Sequence, residues 1–330
     1  MLNDRKATQD DFQALAAPFQ HELLVHCYRM LGSVEDAEDA LQETFLRAWR
    51  RIETLRVQDS LRAWLYRIAT NVSLDMLDQR KVRSMPTSTY PPADADQPLP
   101  APIDEPVWLE PISEEYLDWE NINPEARYDT RESVTLAFLT MLQELPGRQR
   151  AILLLRDVLG WKSQEVADVF EISLPAVNSA LQRARLTLSR RRTTQAFYHP
   201  AGTSDPQLSF LLARYVQAWE TADADGLIAL LRDDAILSMP PFPAWFRGIP
   251  AIRKFLTGFL FAGPETRRFR LLATRANGGP AFAVYQRQDS RFLPAALQVL
   301  TLHQGKIARL DDFLVSDARL LSQFRLPRSL

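Results

Sequence analysis

The sequence predicts a multidomain protein in which two all-α domains, the second a helix-turn-helix, precede an α+β domain. Three observations carry this prediction. Apolar residues recur at helical spacing through residues 33–80, a turn separates two capped helices near residue 172, and alternating strand patterns follow residue 267. The 330 residues fit two or three domains of roughly 100–200 residues each. We place the domains at 10–85, 133–195 and 204–330, with a linker at 86–132.

The composition is that of a protein with packed cores, with 46% apolar and 24% charged residues. The 39 Lys and Arg nearly balance 41 Asp and Glu, which excludes a uniformly basic nucleic-acid coat. No apolar run reaches the roughly 18 residues of a membrane helix, and the charged start lacks an apolar export signal. Cys27 is the single cysteine and the four histidines are scattered, so no disulfide or metal site is expected. We expect a cytoplasmic protein without membrane contact, cofactor or metal.

Charge is distributed unevenly along the chain. Residues 1–85 carry a net charge of −1, 86–135 carry −10, 136–199 carry +4 and 200–330 carry +5. The −10 segment also holds nine prolines and few periodic apolar positions. Because it cannot bury enough apolar surface to offset its ordering entropy, we predict an extended acidic linker. The apolar island Val107–Pro111 within it either docks on a folded domain or is a spacer that contains a tryptophan.

The first domain is predicted to contain a helix that begins after Ser33 and has an acidic outer face. Ser33 is a favoured N-cap, and Glu35 and Asp36 lie in the first turn, where the helix dipole favours negative charge. At 100° per residue, the outer face carries Glu35, Asp39, Gln42, Glu43 and Leu46. Such a face is usually only solvated, but Leu46 within it favours a contact surface.

A second helix, predicted over about residues 60–80, places basic and amide side chains beside aromatic rings. Its outer or N-terminal positions include Arg62, Trp64, Tyr66, Arg67 and Asn71. Cations hold phosphates while rings stack on unpaired bases, so this pattern is typical of single-stranded nucleic-acid binding. Trp64 fits a core position equally well. The predicted buried stripe consists of Leu61, Leu65, Ile68, Ala69, Val72 and Met76.

Residues 148–192 predict a helix, a short second helix capped by Ser163, a turn at 171–173 and a third helix. The outer face of the third helix presents Pro175, Asn178, Ser179, Gln182 and Arg183. Asn and Gln pair bidentately with adenine and Arg with guanine, whereas Arg185 and Arg190–Arg192 suit phosphates. The alternative is a plain helical hairpin with a solvated, arginine-rich end. Agreement of caps, turn and faces favours DNA binding.

Four sequence runs carry a resemblance to a known family. DAEDALQETFLRAW at 36–49 and LRAWLYRIATN at 61–71 resemble region 2 of bacterial RNA polymerase sigma factors of the extracytoplasmic-function type. LPGRQRAILL at 145–154 and AVNSALQRAR at 176–185 resemble region 4 of the same family. The resemblance implies that the chain binds core RNA polymerase, at its β and β′ subunits, and promoter DNA, and that it directs promoter-specific transcription initiation.

The resemblance also implies a role for each surface. The clamp helices of β′ would bind Glu35, Asp39, Gln42 and Glu43. The loop at 54–60, together with Arg62, Arg67 and Asn71, would capture the unpaired minus-10 strand. The minus-35 element would be read by Asn178, Ser179, Gln182, Arg183 and Arg185. Because the linker of this family threads near the RNA exit path, the −10 charge of residues 86–135 would mimic RNA.

Residues 204–330 predict helices followed by an antiparallel meander. We expect helices at 208–221, 223–231 and 249–261, a short strand at 235–239, a loop at 240–248, and strands near 268–276, 281–287, 295–303 and 306–314. The runs WFRGIPAI at 245–252, GKI at 305–307 and FRLP at 324–327 resemble the cone of SnoaL-like polyketide cyclases and ketosteroid isomerases. The resemblance implies a pocket for a small apolar ligand, lined by Met239, Phe242, Trp245, Tyr285, Gln298 and Asp312.

An enzyme of this fold needs a carboxylate or histidine as general base, for which Asp234, Asp311 and Asp312 are candidates. We expect instead no catalytic residue and a module that regulates the sigma factor in cis, because surface or capping carboxylates are commoner and His303 falls beside a turn. Its +5 charge would attract the acidic linker where the two touch. Two alternatives stay open: a DNA-binding protein fused to a small-molecule isomerase or cyclase, and a transcription factor that binds duplex DNA without polymerase.

Overall fold

The computed structural model describes residues 9–54, 60–103, 105, 107–117, 133–192, 206–262, 268–315 and 318–330. They fall into two compact units. The N-terminal unit comprises the described parts of 1–83, 116–123 and 141–193, and the C-terminal unit those of 84–115, 124–140 and 194–330. Most of the loop predicted to bind the minus-10 strand, and the side chains of Arg190–Arg192, lie outside the described residues.

The described α-helices are numbered α1 to α13 in chain order. They are Gln9–Ala16, Gln20–Leu31, Val34–Arg50, Leu61–Gln79, Pro86–Thr89, Leu136–Gln143, Gly147–Leu153, Ser163–Phe170, Leu174–Arg192, Pro206–Glu220, Ala224–Ala229, Ile249–Phe255 and Ala318–Gln323. Two of them, α7 and α12, continue into π-helical turns at Leu154–Val158 and Leu256–Leu260. Of the described helices, none is both long and apolar enough to cross a membrane.

The junction between α2 and α3 follows from two residues. Gly32 adopts the left-handed conformation (φ 76°) that ends α2, and its N–H bonds to the carbonyl of Tyr28. The Ser33 hydroxyl accepts a hydrogen bond of 3.2 Å from the N–H of Asp36, which confirms the predicted N-cap of α3. The Asp36 carboxylate is itself buried and binds Arg80 and Arg83, so the end of α4 is tied to the start of α3.

Helix α4 buries most of its predicted stripe against α2 and α3. Leu65, Ile68, Ala69 and Val72 are buried as predicted, whereas Leu61 and Met76 are only half-buried. Trp64 is 4% exposed, so it is a core residue and not a surface ring. The structure thereby decides one of the alternatives that the sequence left open.

The helix-turn-helix is formed by α8 and α9, with α7 before it. Gly160 (φ 69°) ends the preceding segment, and Glu171 (φ 53°) makes the left-handed turn between α8 and α9. The N-cap of α8 is Lys162 and not Ser163 as predicted, because the Glu165 side chain reaches back to accept from the Lys162 N–H at 2.6 Å. The helical period places Val177, Leu181, Ala184 and Leu188 on the apolar side of α9, and the first three are buried whereas Leu188 is half-buried.

The C-terminal unit contains a six-stranded sheet with the order β2-β1-β6-β5-β4-β3. Its strands, β1 to β6 in chain order, are Leu231–Ser238, Trp245–Arg247, Phe269–Ala276, Gly279–Gln288, Arg291–His303 and Lys306–Leu314. The antiparallel meander of β3 to β6 is confirmed, but β1 starts earlier than predicted and pairs in parallel with β6. The short β2, which pairs with β1, lies where a loop was predicted. The loop was predicted because the residues just before this three-residue strand are rich in proline.

The two faces of this sheet differ. One face, together with helices α10 to α12, forms an apolar core that includes Leu237, Phe246, Phe282 and Leu300. Successive side chains of a strand point to opposite faces. Trp245 next to Phe246, Tyr285 next to the core residue Val284, and Val299 next to Leu300 therefore lie on the other face. That other face is buried as well, so both faces of the sheet carry buried side chains.

The acidic linker differs from its prediction. Residues 84–115 belong to the compact C-terminal unit and are not a free spacer. The island Val107–Pro111 is docked: Trp108 and Leu109 are buried, and the segment pairs with Ser84 through the N–H of Leu109 at 3.0 Å. Ala93, Ala95 and Leu99 pack against the apolar core of the unit. Short apolar side chains spaced among prolines and acids therefore suffice to fold the linker onto a domain.

Candidate polymerase, promoter and ligand sites

The predicted polymerase-binding face lies along the outer side of α3. Glu35, Asp39 and Gln42 are exposed and Glu43 is half-buried. The Glu43 carboxylate pairs with Arg47 at 2.7 Å, and Asp39 lies 3.7 Å from Arg80. Leu46 is 48% exposed beside these acids. The face is therefore acidic, with one exposed apolar side chain at its C-terminal end that favours a protein contact.

The predicted minus-10 residues lie on α4 but are not equally available. Asn71 is exposed and Arg67 half-buried. The Arg62 guanidinium donates hydrogen bonds of 2.7–3.0 Å to both carboxylate oxygens of Glu22, on α2. These bonds raise the pKa of Arg62, whose guanidinium also lies 5.0 Å from the ring centroid of Tyr66. Arg62 is thus occupied by an internal carboxylate.

Aromatic contacts join α4 to the segment before α8. The Trp161 ring meets the Tyr66 ring edge to face, with centroids 5.3 Å apart and planes at 66°. On another side, His26 of α2 lies 5.1 Å from the same ring. Tyr66 is fully buried, and this burial raises the pKa of its hydroxyl. Regions 2 and 4 therefore share one core within the N-terminal unit.

Arg150, within the predicted region 4 motif at 145–154, makes five side-chain hydrogen bonds. It is 1% exposed, and burial lowers the pKa of its guanidinium to about 10, so it stays charged at neutral pH. It donates to the carbonyl of Met30 at the end of α2, and to four acceptors around the end of α6, at Leu142, Gln143 (carbonyl and side-chain amide) and Leu145. One side chain thereby caps two helices.

The predicted minus-35 residues all lie on the outer side of α9. Asn178, Ser179, Gln182, Arg183 and Arg185 are exposed. The Arg183 guanidinium donates to the Ser179 hydroxyl at 2.7 Å, and Arg185 binds both carboxylate oxygens of Asp157 at 2.6 and 2.9 Å. The first contact holds a long side chain along the helix, while the second fixes Arg185 against the preceding segment.

The linker is held in the C-terminal unit by a series of specific contacts. The Trp245 indole donates to the carbonyl of Tyr90 at 2.8 Å, and the Trp245 carbonyl accepts from the N–H of Ala93 at 2.7 Å. Further along, Asn277 accepts from the Ile112 N–H through its side chain, at 3.1 Å, and donates its own N–H to the Ile112 carbonyl, at 3.0 Å. Backbone and side-chain bonds therefore fix the register of the linker on the domain.

Charge adds to these contacts. The linker acids Asp96, Glu114 and Glu115 pair with Lys254, Arg275 and Arg325, the last pair at 2.7 Å. In addition, the buried Arg309, held by both oxygens of Asp311 at 2.7–2.8 Å, donates to the hydroxyl of Thr87 at 3.3 Å. The attraction expected between the acidic linker and the basic domain thus acts at direct contacts. Since these pairs are mostly solvent-exposed, each contributes little alone.

The predicted ligand-pocket residues do not lie together. Met239, Gln298 and Asp312 lie on the helix side of the sheet, because Met239 belongs to its apolar core and Gln298 lies opposite both Phe282 and Asp312 in the strand register. Trp245 and Tyr285 lie on the other face, where their polar atoms bond to Tyr90 and to the carbonyl of Pro327. The resemblance identifies strand positions without fixing which face each side chain takes, so the predicted pocket positions are divided between the two faces.

The helix side of the sheet holds a buried polar group. Tyr215 of α10 donates to the side-chain carbonyl of Gln298 at 2.7 Å, and Asp312 lies beside Gln298 on the neighbouring strand. Burial, with a smaller contribution from Asp311, raises the pKa of Asp312 to about 7. Gln298 interacts with Asp312 and partly offsets the rise of the Asp312 pKa, but the Gln298 Nε2, the Trp219 Nε1 and one Asp312 oxygen make no hydrogen bond of good geometry within the described residues. Such orphaned atoms in an apolar core are uncommon and suit a polar group of a ligand.

The carboxylates named as possible catalytic bases are placed differently. Asp234 is exposed and pairs with Arg232, which lowers the pKa of its carboxyl group. Asp311 is fully buried between Arg309 and the Ser238 hydroxyl, which donates to it at 2.5 Å. Within the described residues, no cluster of three or more His, Cys, Asp or Glu could hold a metal ion.

The fold and these surfaces define a class: a helical transcription factor with a helix-turn-helix, fused to a cone-type α+β domain. Family models described as Sigma-70 region 2, Sigma-70 region 4 and SnoaL-like domain match residues 15–83, 135–188 and 212–310. The chain is 44% identical over 321 residues to the ECF RNA polymerase sigma factor SigG of Mycobacterium tuberculosis (strain H37Rv), covering 97% of this chain and 85% of that protein. The chain belongs to the family of extracytoplasmic-function RNA polymerase sigma factors. It is a transcription initiation factor and not an enzyme.

Other similarities agree with this assignment. The ECF sigma factor SigW of Bacillus subtilis (strain 168) is 26% identical over 187 residues, which are 57% of this chain and 91% of that protein. The crystal structure of the Mycobacterium tuberculosis sigma factor SigJ shares the fold, with a TM-score of 0.60 at 23% identity, covering 96% of this chain and 99% of that one. The SnoaL-like extension is thus an integral part of a known arrangement of domains.

Several residues that organise these sites were not predicted from the sequence. Glu22 and Arg150 read as ordinary charged residues of amphipathic helices, and only the fold shows that they bind Arg62 and cap helix ends. Asn277 was missed although Asn-Gly at 277–278 is a turn signal, because nothing in the sequence shows that its side chain binds the linker. Partners that are distant in sequence leave no local signal.

Proposed function

We propose that this sigma factor binds the β′ clamp helices through Glu35, Asp39, Gln42 and Glu43, and the β subunit through region 4. Helix α4 would capture the unpaired minus-10 strand and α9 would read the minus-35 element. The observation that carries the proposal is the outer face of α9, where all five predicted reading residues are exposed on the second helix of a helix-turn-helix. Polymerase and promoter lie in the bacterial cytoplasm, where the protein would therefore act.

The chemistry of α9 suits base readout. The amides of Asn178 and Gln182 can each donate to and accept from adenine, and Arg183 can donate two hydrogen bonds to guanine. Arg185, held by Asp157, would bind phosphate after exchanging its carboxylate partner, since a guanidinium matches both groups in the same bidentate geometry. Phosphate contacts would fix the register, and the amides and Arg183 would supply specificity.

The direct experiment is run-off transcription with bacterial core polymerase on genomic fragments. The full chain should give discrete transcripts that depend on core. The double variant Asp39→Lys, Glu43→Lys should lose most of them while remaining folded, whereas Asp168→Lys, an equivalent reversal on the exposed side of α8, should retain them. Transcripts unaffected by the α3 reversal would overturn the assigned polymerase surface, and an absence of transcripts from the folded full chain would overturn the function.

We further propose that the C-terminal domain regulates the sigma factor in cis by holding the linker. Residues 84–115 are bound along the domain, and a linker held there cannot follow the RNA exit path of the polymerase. The minus-10 and minus-35 elements are by name roughly 25 base pairs apart, or ~85 Å at about 3.4 Å per pair. A compact unit the size of the N-terminal one has a radius of gyration of only roughly 15 Å. Opening of the N-terminal unit would therefore have to precede promoter binding.

Charge reversal tests this regulation. The double variant Arg275→Glu, Arg325→Glu should weaken the hold on Glu114 and Glu115 and raise core-dependent transcription several-fold. Arg291→Glu, an exposed reversal on β5, is the matched control and should leave transcription unchanged. Equal or lower transcription from the double variant would contradict an inhibitory hold on the linker.

The linker would have a second role once released. Its −10 charge suits mimicry of RNA near the exit path, so neutralising acids between Asp94 and Glu120 should change promoter escape. The ratio of abortive to full-length transcripts measures this effect. An unchanged ratio would contradict the mimicry while leaving linker retention by the domain intact.

A small apolar ligand would bind on the helix side of the C-terminal sheet, at Met239, Gln298 and Asp312. Tyr215 would orient Gln298, whose Nε2 could then donate to a polar group of the ligand. A polarity-sensitive neutral dye such as prodan should bind there. The variant Gln298→Leu should shift the emission maximum of the bound dye. Unchanged prodan emission in that variant would place the dye elsewhere.

A further inference from the structure

The face of α4 that would receive the minus-10 strand is occupied by groups from within the chain. Arg62 is bound by the Glu22 carboxylate through three hydrogen bonds of 2.7–3.0 Å. The same carboxylate accepts from the Tyr66 hydroxyl at 3.2 Å. The Tyr66 ring also meets two other rings edge to face, those of His26 and of Trp161. A carboxylate and a flat aromatic ring thus sit on one arginine and one tyrosine.

These two groups have the chemistry of a nucleotide. A carboxylate offers an arginine fork the same bidentate acceptor geometry as a phosphate. The Trp161 indole meets the Tyr66 ring edge to face, so it fills, without stacking on that ring, the space through which an unpaired base would reach it. Arg62, over the Tyr66 ring at 5.0 Å, completes a site in which cation, ring and acceptor are already arranged.

We propose that Glu22 and Trp161 are internal substitutes for a phosphate and a base of the single-stranded promoter, and that they block α4 until region 4 moves away from it. This inference rests on the proposed role of α4 in capturing the minus-10 strand. Glu22 lies on α2, which precedes α4 in the chain, and Trp161 lies just before α8, which follows it. Only Trp161 leaves with region 4, and the DNA phosphate must displace Glu22.

The structure links this block to the closed arrangement of the N-terminal unit. Trp161 is 7% exposed, and its segment is fixed because Arg156 donates to its carbonyl. Gly147, at the start of α7, packs so closely on α4 that an added Cβ would lie 2.9 Å from the Leu74 side chain. Because α7 and Trp161 both rest on α4, separating region 4 from α4 uncovers the Tyr66 ring.

The test measures binding of fluorescein-labelled oligo(dT) to the full chain by anisotropy, as a function of salt. Glu22→Gln should tighten binding about 2- to 5-fold, the range for loss of one partly exposed ion-pair partner. The slope of the logarithm of the binding constant against the logarithm of the salt concentration should also become steeper by about 0.7, the value for one added phosphate contact to a single strand. Trp161→Leu should add a further gain. Asp75→Asn is the control, since it removes an ion-pair partner that lies elsewhere on α4, 2.7 Å from Arg47, and leaves Arg47 its second pair with Glu43.

Two more variants make the outcomes distinct. Arg62→Ala combined with Glu22→Gln should cancel the gain, and Arg67→Ala should weaken binding in every background. If Arg67→Ala weakens binding but Glu22→Gln behaves like Asp75→Asn, the minus-10 surface stands and the internal substitution is overturned. If neither Arg67→Ala nor Glu22→Gln changes binding, both the proposed minus-10 surface and the inference that rests on it are overturned.

Discussion

The two helices that would read the promoter present opposite states. On α9 the five predicted reading residues are exposed; Arg183 bonds to Ser179 of its own helix, and Arg185 alone of the five is paired with an acid, Asp157. On α4 the corresponding Arg62 is bound by Glu22 and the Tyr66 ring is buried under Trp161. The difference shows that availability is set by tertiary neighbours and not by the composition of the helix. In the proposed roles, the helix that would read the minus-35 element is free to bind, whereas the helix that would capture the minus-10 strand is held at Arg62.

The largest expected effect concerns Arg150, which joins region 4 to the end of α2. Arg150→Met leaves the Met30, Leu142, Gln143 and Leu145 acceptors without their donor, and should destabilise the N-terminal unit by about 3 kcal/mol or more. Urea denaturation followed by circular dichroism measures the change. Arg148→Met, at an exposed position two residues earlier, is the control. Equal stability of the two variants would show that the carbonyl cap does not hold the unit closed.

A pH effect should follow from His26, which lies beneath α4. Burial first, and the charge of Arg29 second, lower the pKa of His26 to about 3. Between that pH and the ordinary histidine pKa of about 6.5, the unfolded chain binds the extra proton, so stability falls as pH falls, by up to ~1.4 kcal/mol per pH unit. His26→Gln can keep the bond to Thr70. This variant should show a weaker pH dependence of the urea midpoint between pH about 6.5 and 4. Identical pH profiles for both proteins would contradict this origin.

The exposed helix should respond in function and not in stability. Gln182→Ala and Arg183→Ala should each reduce run-off transcription from a minus-35-dependent promoter about 5- to 100-fold, because a bidentate base contact contributes roughly 1–3 kcal/mol. Their urea midpoints should equal that of the unmodified chain. Gln164→Ala, on the exposed side of α8, serves as the control. If these variants were less stable but transcribed normally, the contrast between the two helices would be contradicted.

Local patterns in the sequence were sufficient for elements with a strong period and clear caps. Ser33, the apolar side of α9 and the β3 to β6 meander were predictable because their signals lie within a few residues. The N-cap of α8 was shifted by one residue because the choice depends on where the Glu165 side chain reaches. Strand β2 was missed because three residues beside a proline-rich run carry too little pattern.

The candidate sites divide in the same way. The exposed residues of α3 and α9 could be predicted from helical geometry alone, because the helical period of 3.6 residues determines which side chains lie on the outer face. The pocket set could not, since Trp245 and Tyr285 point away from Gln298 across the sheet. The linker contacts and the Glu22 to Arg62 pair join residues far apart in sequence, so neither composition nor period could reveal them.

One distance tests the closed arrangement most directly. Cys27 is fully buried and burial raises the pKa of its thiol to about 12, so labels should react only with cysteines introduced at exposed positions. With Asp78→Cys on α4 and Ser189→Cys on α9, energy transfer in the free full chain should report a separation below about 40 Å, the span of a compact unit of this length. Core polymerase should lengthen that separation by several tens of ångströms. A long distance in the free chain, or a short one that core polymerase leaves unchanged, would contradict the account.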